Sequence, residues 1–494
     1  MVLPIDNPVK SFWIEGADSH LRNHRSTPDL PDVVDVVIVG SGYTGATMAY
    51  WLDKFSAEGS TPSMVILEAR DICGGATGRN GGQLRPHYYS RYPLWASRFG
   101  SDGALKVIKH EAAHLAAFKA LLEAEGLAEE VSFKLGETFD AAMSEEAWAR
   151  LKGAYEDMKK DIGEKGDIIK DCRLIEDPNE AERFTQMKGC IAAVVHPSGQ
   201  VWPYKFVHAL LQLLLKTGQV NLQANTPALS VSQQDADGLI TVDTPRGKIK
   251  AKTVIHATNR WASHLLPEFG NLIYAGRGTL AAIKAPQGFL KNTGAQHWDS
   301  IINNYHLQLP PPHNTIIVGG AKPLTVHDPK QYVNNDREDE QFRGVPDFYA
   351  GWPKRDVVGW TGRDPAELER SVEEGGVWSG VYSTSIDSFP FVGPVPKNKG
   401  HFVAAGFAGH GMPRILGSTA HLAPLVLADL GVKSNTPSTA TIFPPLPEPF
   451  QATEERIQRL QSVDALAKFQ KEIDEGLVSS KKPFAGPAPQ ILLD

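Results

Sequence analysis

The 494-residue sequence has few cysteines, no long apolar run and no excess of basic residues. Its three cysteines, Cys73, Cys172 and Cys190, form no C-x-x-C pair, which argues against a disulfide framework, a zinc ribbon and a redox-active dithiol. No apolar run approaches the ~20 residues that a membrane helix needs. The formal net charge of −7 leaves no basic surface for nucleic acid. We therefore predict a protein of a reducing compartment that has no membrane span and binds no nucleic acid.

The two ends of the sequence carry no targeting signal. Residues 1 to 8 have neither the basic nor the apolar region of a secretory signal, and the final Ile-Leu-Leu-Asp is not a peroxisomal address. We expect a cytoplasmic protein. The length exceeds that of one compact core and predicts two or three domains.

The first motif with chemical meaning is at residues 34 to 45, where an apolar strand pattern leads into glycines. Gly40 permits a tight strand-to-helix turn, Gly42 lets the backbone approach a diphosphate, and Gly45 allows close packing of helix on strand. Glu68 ends the next apolar run, at the position that holds ribose hydroxyls in such sites. The flanking pattern agrees, with a predicted helix over 44–55 and a predicted strand over 63–67. The sequence therefore predicts a site for an adenine dinucleotide.

The chain after this motif does not continue as further strand–helix units, as a simple nicotinamide dehydrogenase would. The sequence that follows has instead the pattern of long helices and then of strands joined by Gly and Pro turns. We predict helices over 104–125, 144–161, 205–216, 415–430 and 452–475. We predict antiparallel strands over 219–256, further strands over 272–320, and an insertion over 330–375 that caps another part of the molecule. The dinucleotide fold is therefore interrupted.

Two histidines on the predicted helix 104–125 could chelate a metal ion. His110 and His114 are four residues apart, which is a spacing of helical metal ligands. No third ligand is evident nearby, so we favour a solvated helix face for this pair. We predict no metal site.

Residues 68 to 83, Glu-Ala-Arg-Asp-Ile-Cys-Gly-Gly-Ala-Thr-Gly-Arg-Asn-Gly-Gly-Gln, carry a family resemblance. They resemble the A-[ST]-G-R-N-G-G-Q segment of the gamma-glutamylputrescine oxidase-like and sarcosine oxidase-like branch of the D-amino-acid oxidase superfamily. Four further blocks follow in the expected order: PSGQVWPY (197–204), TVIHAT (253–258), WSGVYSTSIDSFPFVG (378–393) and AGFAGHGM (405–412). The resemblance spans about residues 33 to 430. It identifies the sequence as a member of this superfamily of FAD-dependent amine and amino-acid oxidoreductases.

The resemblance implies an α/β fold, α+β overall, with a Rossmann-like FAD-binding domain and a second, substrate-binding domain built on an antiparallel sheet. We expect a discontinuous FAD domain over 33–95, 190–268 and 376–432, and a substrate domain over 96–189 and 269–375. Residues 1–32 would form an N-terminal arm laid over the body, and residues 433–494 a Pro-rich and helical C-terminal tail. The ligand would lie between the domains, at the carboxyl ends of the parallel strands.

Two glycine-rich stretches suit a flavin. Residues 74–82 hold five glycines, so their backbone can pass against a flat ring. Residues 406–412 open the helix 415–430, whose free N–H groups and positive dipole end can face the N1/C2 edge of the flavin. The predicted FAD-binding residues are Gly40, Gly42, Tyr43, Thr44, Gly45, Glu68, Ala69, Arg70, Gly75, Ala76, Thr77, Arg79, Asn80, Gly81, Gly82, Gln83, Ala228, Ala257, Thr258, Gly409, His410, Gly411 and Met412.

We expect FAD to be held without a covalent bond. In some relatives a histidine of the flavin loop, or a cysteine just before the later Tyr-x-x-x-x-Asp block, carries such a bond. Alignment with those relatives puts Arg79 and Gly380 at these two places. Cys73 is the thiol nearest to the flavin loop in sequence.

Substrate in this superfamily binds as a neutral amine and passes hydride to flavin N5, so the protein supplies orientation and charge and needs no dedicated base. We assign these catalytic roles to Arg414, His87, Tyr382 and His410. The wider set of candidates also holds Arg85, Tyr88, Tyr89, Arg277 and Trp378. Arg414 could bind a substrate carboxylate or belong to a structural ion pair. His87, when protonated, could shift an amine toward its neutral form, or it could simply hydrogen-bond the amine, or it could only pack in polar surroundings. Arg277 matches a family arginine that is more often structural.

The predicted function is oxidation of an amine or amino-acid C–N bond to an imine, which water hydrolyses, with electrons passed to O2 or another acceptor. Some relatives carry an oxygen-handling lysine on a substrate-domain strand, where this sequence has Ile317, and Lys322 lies out of register. The alternatives are an FAD-dependent dehydrogenase of a hydroxy acid or other alcohol, and a non-catalytic flavin-binding protein. A pyridine-nucleotide disulfide reductase would need a C-x-x-C and a second glycine fingerprint, which the sequence lacks.

Overall fold

The computed structural model describes residues 3–163, 167–299, 303–325, 328–361, 376–435 and 443–461. The helices in these ranges are α1 (Phe12–Glu15), α2 (Tyr43–Phe55), α3 (Tyr92–Glu125), α4 (Glu145–Ile162), α5 (Pro178–Thr185), α6 (Pro203–Thr217), α7 (Ala262–Leu265), α8 (Lys322–Thr325), α9 (Val345–Asp356), α10 (Ile415–Asp429) and α11 (Glu454–Gln461). The first strands are β1 (Val33–Val39), β2 (Met64–Leu67), β3 (Gln83–Leu84), β4 (Lys134–Ala142), β5 (Arg173–Ile175), β6 (Ala192–Gln200), β7 (Val220–Gln223), β8 (Ser230–Val231) and β9 (Ile240–Thr244). The later strands are β10 (Gly247–His256), β11 (Ile273–Lys284), β12 (Thr293–His297), β13 (Asn303–Gln308), β14 (Thr315–Gly319), β15 (Val377–Ser385), β16 (Phe391–Pro394) and β17 (His401–Ala405).

The first sheet is the Rossmann-like sheet. Strand β1 is nearly all apolar, which is typical of a parallel strand covered on both faces. It lies between β10 and β2 in the order β16-β17-β10-β1-β2-β7. The five strands β17, β10, β1, β2 and β7 all run parallel to one another. The carboxyl ends of β1, β2 and β10 therefore meet at one edge of the sheet, where a dinucleotide binds in such folds.

The prediction of antiparallel strands over 219–256 is only partly right. Strand β7 pairs in parallel with β2, and the later part of β10 pairs in parallel with β1. Only β8, β9 and the first half of β10 form antiparallel pairs. The alternation of apolar residues reports which face is buried and not the direction of the neighbouring strand, so the pattern could not separate the two cases.

The second sheet lies beside the first and is antiparallel apart from the parallel pair of β12 with β4, among the strands that the structure describes. Its order is β15-β11-β14-β13-β12-β4-β6-β3, with β5 paired to β6. The predicted combination of a Rossmann-like sheet and a second antiparallel sheet is confirmed. Strands β3, β6 and β15 belong to this second sheet although their segments were expected in the FAD domain, and the domain boundaries stay a prediction.

The prediction of a solvated face for His110 and His114 is wrong. Both side chains are fully buried, because α10 and the segment around Phe443 and Phe450 cover this face of α3. The N–H of Gly417 donates to Nε2 of His114 at 3.0 Å, so this histidine caps the start of α10. The pair is thus a packing and capping element, and the described residues contain no cluster of three or more potential metal ligands.

The remaining predicted elements agree in part. Helix α3 begins at Tyr92 rather than at 104 and has a break at Gly100. Helix α9 lies in the predicted insertion and buries Trp352 against the second sheet, while residues 362–375 lie outside the described residues. The predicted helix 452–475 is described only as α11, and its part from 462 onward lies outside the described residues. No helix in the described part of the chain is long and apolar enough to cross a membrane.

Candidate active site

A cavity of about 480 Å³ runs from the carboxyl end of β1 into the space beside the second sheet. It gathers residues from the first 100 positions, from the middle of the chain and from residues 380–415. Of the predicted FAD-binding residues, all except Gly45 line this cavity, as do the four predicted catalytic residues Arg414, His87, Tyr382 and His410. The structure therefore brings together residues that are more than 300 positions apart in sequence.

The turn after β1 has no room for side chains. A Cβ at Gly45 would lie 1.9 Å from the carbonyl oxygen of Gly40, so α2 can pack on β1 only with glycine there. Gly40 has φ +108°, and a Cβ on it would lie 2.7 Å from the carbonyl oxygen of Ala257. Gly45 thus acts through packing, as its place in the motif predicts, and does not line the cavity.

The start of α2 presents unpaired donors to the cavity. The N–H of Tyr43 donates to Oγ1 of Thr77 at 3.0 Å, and its ring packs in the core against Phe206. Gly42 and Thr44 line the cavity, and no hydrogen bond from their N–H groups to a protein acceptor is found among the described residues. Free N–H groups at a helix N-terminus attract a diphosphate, so this part of the cavity fits the expected cofactor.

Glu68 lies at the end of β2 and lines the cavity beside this turn. Its carboxylate accepts hydrogen bonds from the hydroxyl of Ser41 at 2.7 Å and from the N–H of Arg70 at 3.2 Å. Further along the wall, the buried hydroxyl of Thr258 and the indole N–H of Trp261 have no partner in the described structure. Unpartnered polar atoms in a cavity wall call for a polar ligand, and an adenosine group would meet that need.

The flavin loop, residues 74–83, is held by a buried arginine. The guanidinium of Arg79 donates to the carbonyl oxygens of Gly74 and Ser379, both at 3.0 Å. A Cβ at Gly380 would lie 2.9 Å from Cβ of Arg79, so the two positions that carry a covalent flavin in some relatives face each other here. Cys73 is buried outside the cavity lining, and burial raises the pKa of its thiol well above the usual value.

The glycine turn at 406–412 is fixed by a residue that the sequence analysis missed. Oδ1 of Asn259 accepts the N–H groups of Gly406 and Phe407 at 3.2 and 3.4 Å. Gly411 and Met412 line the cavity, and no hydrogen bond from their N–H groups to a protein acceptor is found among the described residues. These two donors are available to a ligand at the start of α10, as expected for a flavin edge. Asn259 directly follows the 253–258 block, which was the available signal for it.

A buried carboxylate organises one end of the cavity. Glu111 on α3 accepts Nε of Arg414 at 2.8 Å, pairs with Nε2 of His410 at 3.1 Å and accepts the N–H of His87 at 2.8 Å. Burial opposes its ionisation, but the charges of His410 and Arg414 outweigh burial and hold the pKa of Glu111 well below its usual range. Arg414 therefore lines the cavity and forms a structural ion pair, while its binding of a substrate carboxylate stays a prediction.

His87 and Tyr382 form part of the wall near this carboxylate. The ring of His87 stacks on His410 with centroids 4.0 Å apart. Burial, followed by the neighbouring His410, lowers the pKa of His87 well below its usual value, so its ring is neutral at pH 7. The ring of Tyr382 covers Gly276 and Gly409, which leaves no space for a Cβ at Gly276.

A second polar cluster, also missed in part, borders the cavity on the side of the second sheet. Asp140 accepts hydrogen bonds from Arg85 at 2.6 Å and from the hydroxyl of Tyr89 at 2.7 Å, and its carboxylate lies 2.7 Å from Nε2 of His297. Burial opposes ionisation of Asp140, but Arg85 and the hydrogen-bonded histidines hold its pKa well below its usual range. Arg85 and His297 line the cavity, whereas Asp140 and Tyr89 support them from behind.

The other candidates have structural surroundings. Arg277 lines the cavity, but its guanidinium donates to the carbonyl oxygens of Gln331 and Arg337, both at 2.9 Å, as a structural arginine would. Tyr88 and Trp378 do not line the cavity. Ile317 is buried within β14, as its register predicts, but Lys322 reaches the cavity because the chain turns at Gly320 after that strand.

The fold and the cavity together define a class, that of dinucleotide-dependent oxidoreductases with a second, substrate-facing sheet. The family model described as FAD dependent oxidoreductase matches residues 35–424 of the chain. The chain belongs to this family, and its cofactor is FAD.

Individual relatives are distant. Gamma-glutamylputrescine oxidoreductase of Escherichia coli (strain K12) is 24% identical over 80% of this chain and 83% of that protein. A Bacillus subtilis (strain 168) protein named "Putative Rieske 2Fe-2S iron-sulfur protein YhfW" is 22% identical over 88% of this chain and 76% of that protein. The crystal structure of glycine oxidase from Geobacillus kaustophilus has a TM-score of 0.61 and 21% identity, covering 86% of this chain and 99% of that one, which shows a shared fold.

Proposed function

We propose that this FAD-dependent oxidoreductase oxidises the C–N bond of an amine or amino acid to an imine, which water then hydrolyses. The observation that carries the proposal is one cavity in which the FAD-binding residues adjoin His87, Tyr382, His410 and Arg414. The names of two relatives, gamma-glutamylputrescine oxidoreductase and glycine oxidase, point to the same substrate classes.

FAD, when bound, supplies the hydride-accepting chemistry. Gly42 and Thr44 would hold its diphosphate, Glu68 its ribose, and the N–H groups of Gly411 and Met412 the flavin edge. We expect FAD to be held without a covalent bond to the protein, since neither Arg79 nor Gly380 can form a covalent bond to the flavin. Acid precipitation tests this point: FAD should remain in the supernatant, and a yellow pellet would contradict it.

The protein side of the reaction is orientation of the substrate. His87, neutral at pH 7, can hydrogen-bond a neutral substrate amine without placing a positive charge beside it. The guanidinium of Arg414 can orient a carboxylate, and Glu111 fixes the position of that guanidinium. The aromatic ring of Tyr382 closes the wall over the glycine turn.

Electrons pass to O2 or another acceptor. Lys322 lines the cavity, with its ammonium group 4.6 Å from the centre of the Tyr332 ring, so a cation borders the cavity although the strand position itself holds Ile317. The FAD domain comprises 33–95, 190–268 and 376–432, the substrate domain 96–189 and 269–375, and the protein acts in the cytoplasm.

The experiment is a product analysis with purified, FAD-loaded protein and a panel of amines, amino acids and hydroxy acids. The proposal expects a carbonyl product together with an equal amount of ammonia or a smaller amine. Hydrogen peroxide in the same amount identifies an oxidase, whereas turnover only with an added dye identifies a dehydrogenase. Turnover of hydroxy acids alone, or no turnover by a protein that retains FAD, contradicts the proposal and supports one of the two alternatives.

A further inference from the structure

The N-terminal arm, here residues 3–16, lies directly against the flavin loop. From the sequence, residues 1–32 are expected to form an arm laid over the body, separate from the FAD domain. In the structure Leu3 and Pro4 line the cavity itself. The segment that follows them runs along the outside of residues 70–82.

Four hydrogen bonds join the arm to the flavin loop and the residues just before it. From the arm, the hydroxyl of Ser11 donates to the carbonyl oxygen of Gly78 at 2.6 Å. The indole N–H of Trp13 donates to the carbonyl oxygen of Asn80 at 2.5 Å. In the other direction, Arg79 donates to the carbonyl oxygen of Val9 at 2.8 Å and Arg70 to that of Ile5 at 3.0 Å. The arm is therefore hydrogen-bonded to three consecutive residues of the flavin loop, Gly78, Arg79 and Asn80, and to Arg70 just before it.

Packing reinforces these bonds. Trp13 and Ile14 are buried, and Trp202 anchors them by donating its indole N–H to the carbonyl oxygen of Trp13 at 2.9 Å. A Cβ at Gly82 would lie 2.9 Å from the Trp13 ring, and one at Gly78 would lie 3.1 Å from the Ile14 side chain. Glycine at these two positions therefore lets the arm pack closely on the flavin loop.

The arm also connects the flavin loop to the second sheet. The N–H of Val9 donates to the carbonyl oxygen of Glu338 at 2.7 Å. The buried carboxylate of Glu338 lies 2.9 Å from Arg70 and accepts the N–H of Val381, a residue of β15, at 2.9 Å. Arg70 and Val381 both line the cavity. Displacing the arm would thus disturb both walls.

We propose that residues 3–16 are part of the FAD-binding site and act as a latch that holds the flavin loop in its binding conformation and slows release of FAD. Because coupling between two events is reciprocal, bound FAD in turn holds the arm in place. The inference rests on the family's cofactor and is independent of the substrate.

The first test is the double variant Ser11→Ala/Trp13→Phe, which keeps an aromatic side chain at position 13 and removes two donors. It should raise the dissociation constant of FAD about tenfold, as expected for two lost hydrogen bonds. The matched control is Ser97→Ala/Trp148→Phe, which alters the same residue types away from the cavity and should change the constant less than twofold. An unchanged FAD affinity in a folded Ser11→Ala/Trp13→Phe protein overturns the proposal, whatever its thermal stability.

The second test uses the intact chain and needs no variant. Amide hydrogen exchange of residues 5–14 is compared between apoprotein and FAD-loaded protein, with α5, none of whose residues lines the cavity, as the internal control. The latch predicts slower exchange of residues 5–14 with FAD bound and no change in α5. Equal exchange of the arm in both states overturns the proposal, since an arm that only packs on the body would not respond to FAD.

Discussion

Nε of Arg414 lies 2.8 Å from the carboxylate of Glu111, and both side chains are buried. The same carboxylate pairs with His410 and accepts the N–H of His87, so a single residue of α3 fixes three groups at one end of the cavity. An isolated charge in such surroundings is costly, whereas a paired and hydrogen-bonded one is tolerated. The geometry of the predicted substrate end therefore depends on Glu111.

Replacing Glu111 should destabilise the protein strongly. Glu111→Gln leaves Arg414 buried without its counter-charge, and we expect the free energy of unfolding to fall by about 3–5 kcal/mol. Urea unfolding measures the loss. Glu123→Gln, an exposed glutamate on the same helix, is the control and should change stability by less than about 0.5 kcal/mol. A loss below about 1 kcal/mol for Glu111→Gln would show that the ion pair is not needed.

The same residue should make stability depend on pH in a defined direction. The pKa of Glu111 in the folded protein is depressed below its ordinary value of 4.5, so its contribution is present above that pH and is lost as the pH falls through the folded value. The stability difference between the natural protein and Glu111→Gln should therefore shrink below about pH 4.5. Urea unfolding at pH 7, 5 and 4 checks this, and a difference that grows on acidification is the contrary result.

Gly45 is expected to tolerate no side chain. Gly45→Ala would place a Cβ 1.9 Å from the carbonyl oxygen of Gly40 and push α2 away from β1, so FAD binding should be lost or the protein should not fold. Gly153→Ala on α4 is the control, because a Cβ there meets nothing within 4 Å. That variant should bind FAD normally and gain about 0.4–1 kcal/mol. Normal FAD affinity in Gly45→Ala would remove the packing explanation.

Glu68 is expected to contribute to FAD affinity through hydrogen bonds of its charged carboxylate. Glu68→Gln should raise the dissociation constant of FAD by roughly 10- to 100-fold, the range for hydrogen bonds to a charged group. Fluorescence titration of the apoprotein with FAD measures it. Glu58→Gln, at an exposed position after α2, should have no effect. Equal affinities for Glu68→Gln and the natural protein would remove the ribose assignment.

Much of the fold could be predicted because local signals were strong. The glycines at 40, 42 and 45 dictate a specific turn, and family blocks fixed the order of the remaining parts. All predicted cofactor residues except Gly45 line one cavity, and Gly45 lies where its predicted packing function requires it. Strand direction in 219–256 could not be predicted, since alternation of apolar residues is the same for parallel and antiparallel neighbours.

The two buried carboxylates that hold the cavity-lining residues in place could not be predicted, for a different reason. Glu111 and Asp140 carry no local signal, because each is a single acidic residue whose partners are distant in sequence. The burial of His110 and His114 could not be predicted for the same reason. Only the packing of α10 and of the segment around Phe443 shows that this face of α3 is covered. Such residues become visible only when the tertiary contacts are known.

The most direct measurement of the central claim is anaerobic mixing of the FAD-loaded protein with single amines, amino acids and hydroxy acids while the visible absorption of the flavin is followed. Our account predicts that an amine or amino acid bleaches the flavin and that water then yields a carbonyl compound and an amine or ammonia. Bleaching by hydroxy acids alone, or a protein that cannot take up FAD at all, would contradict it.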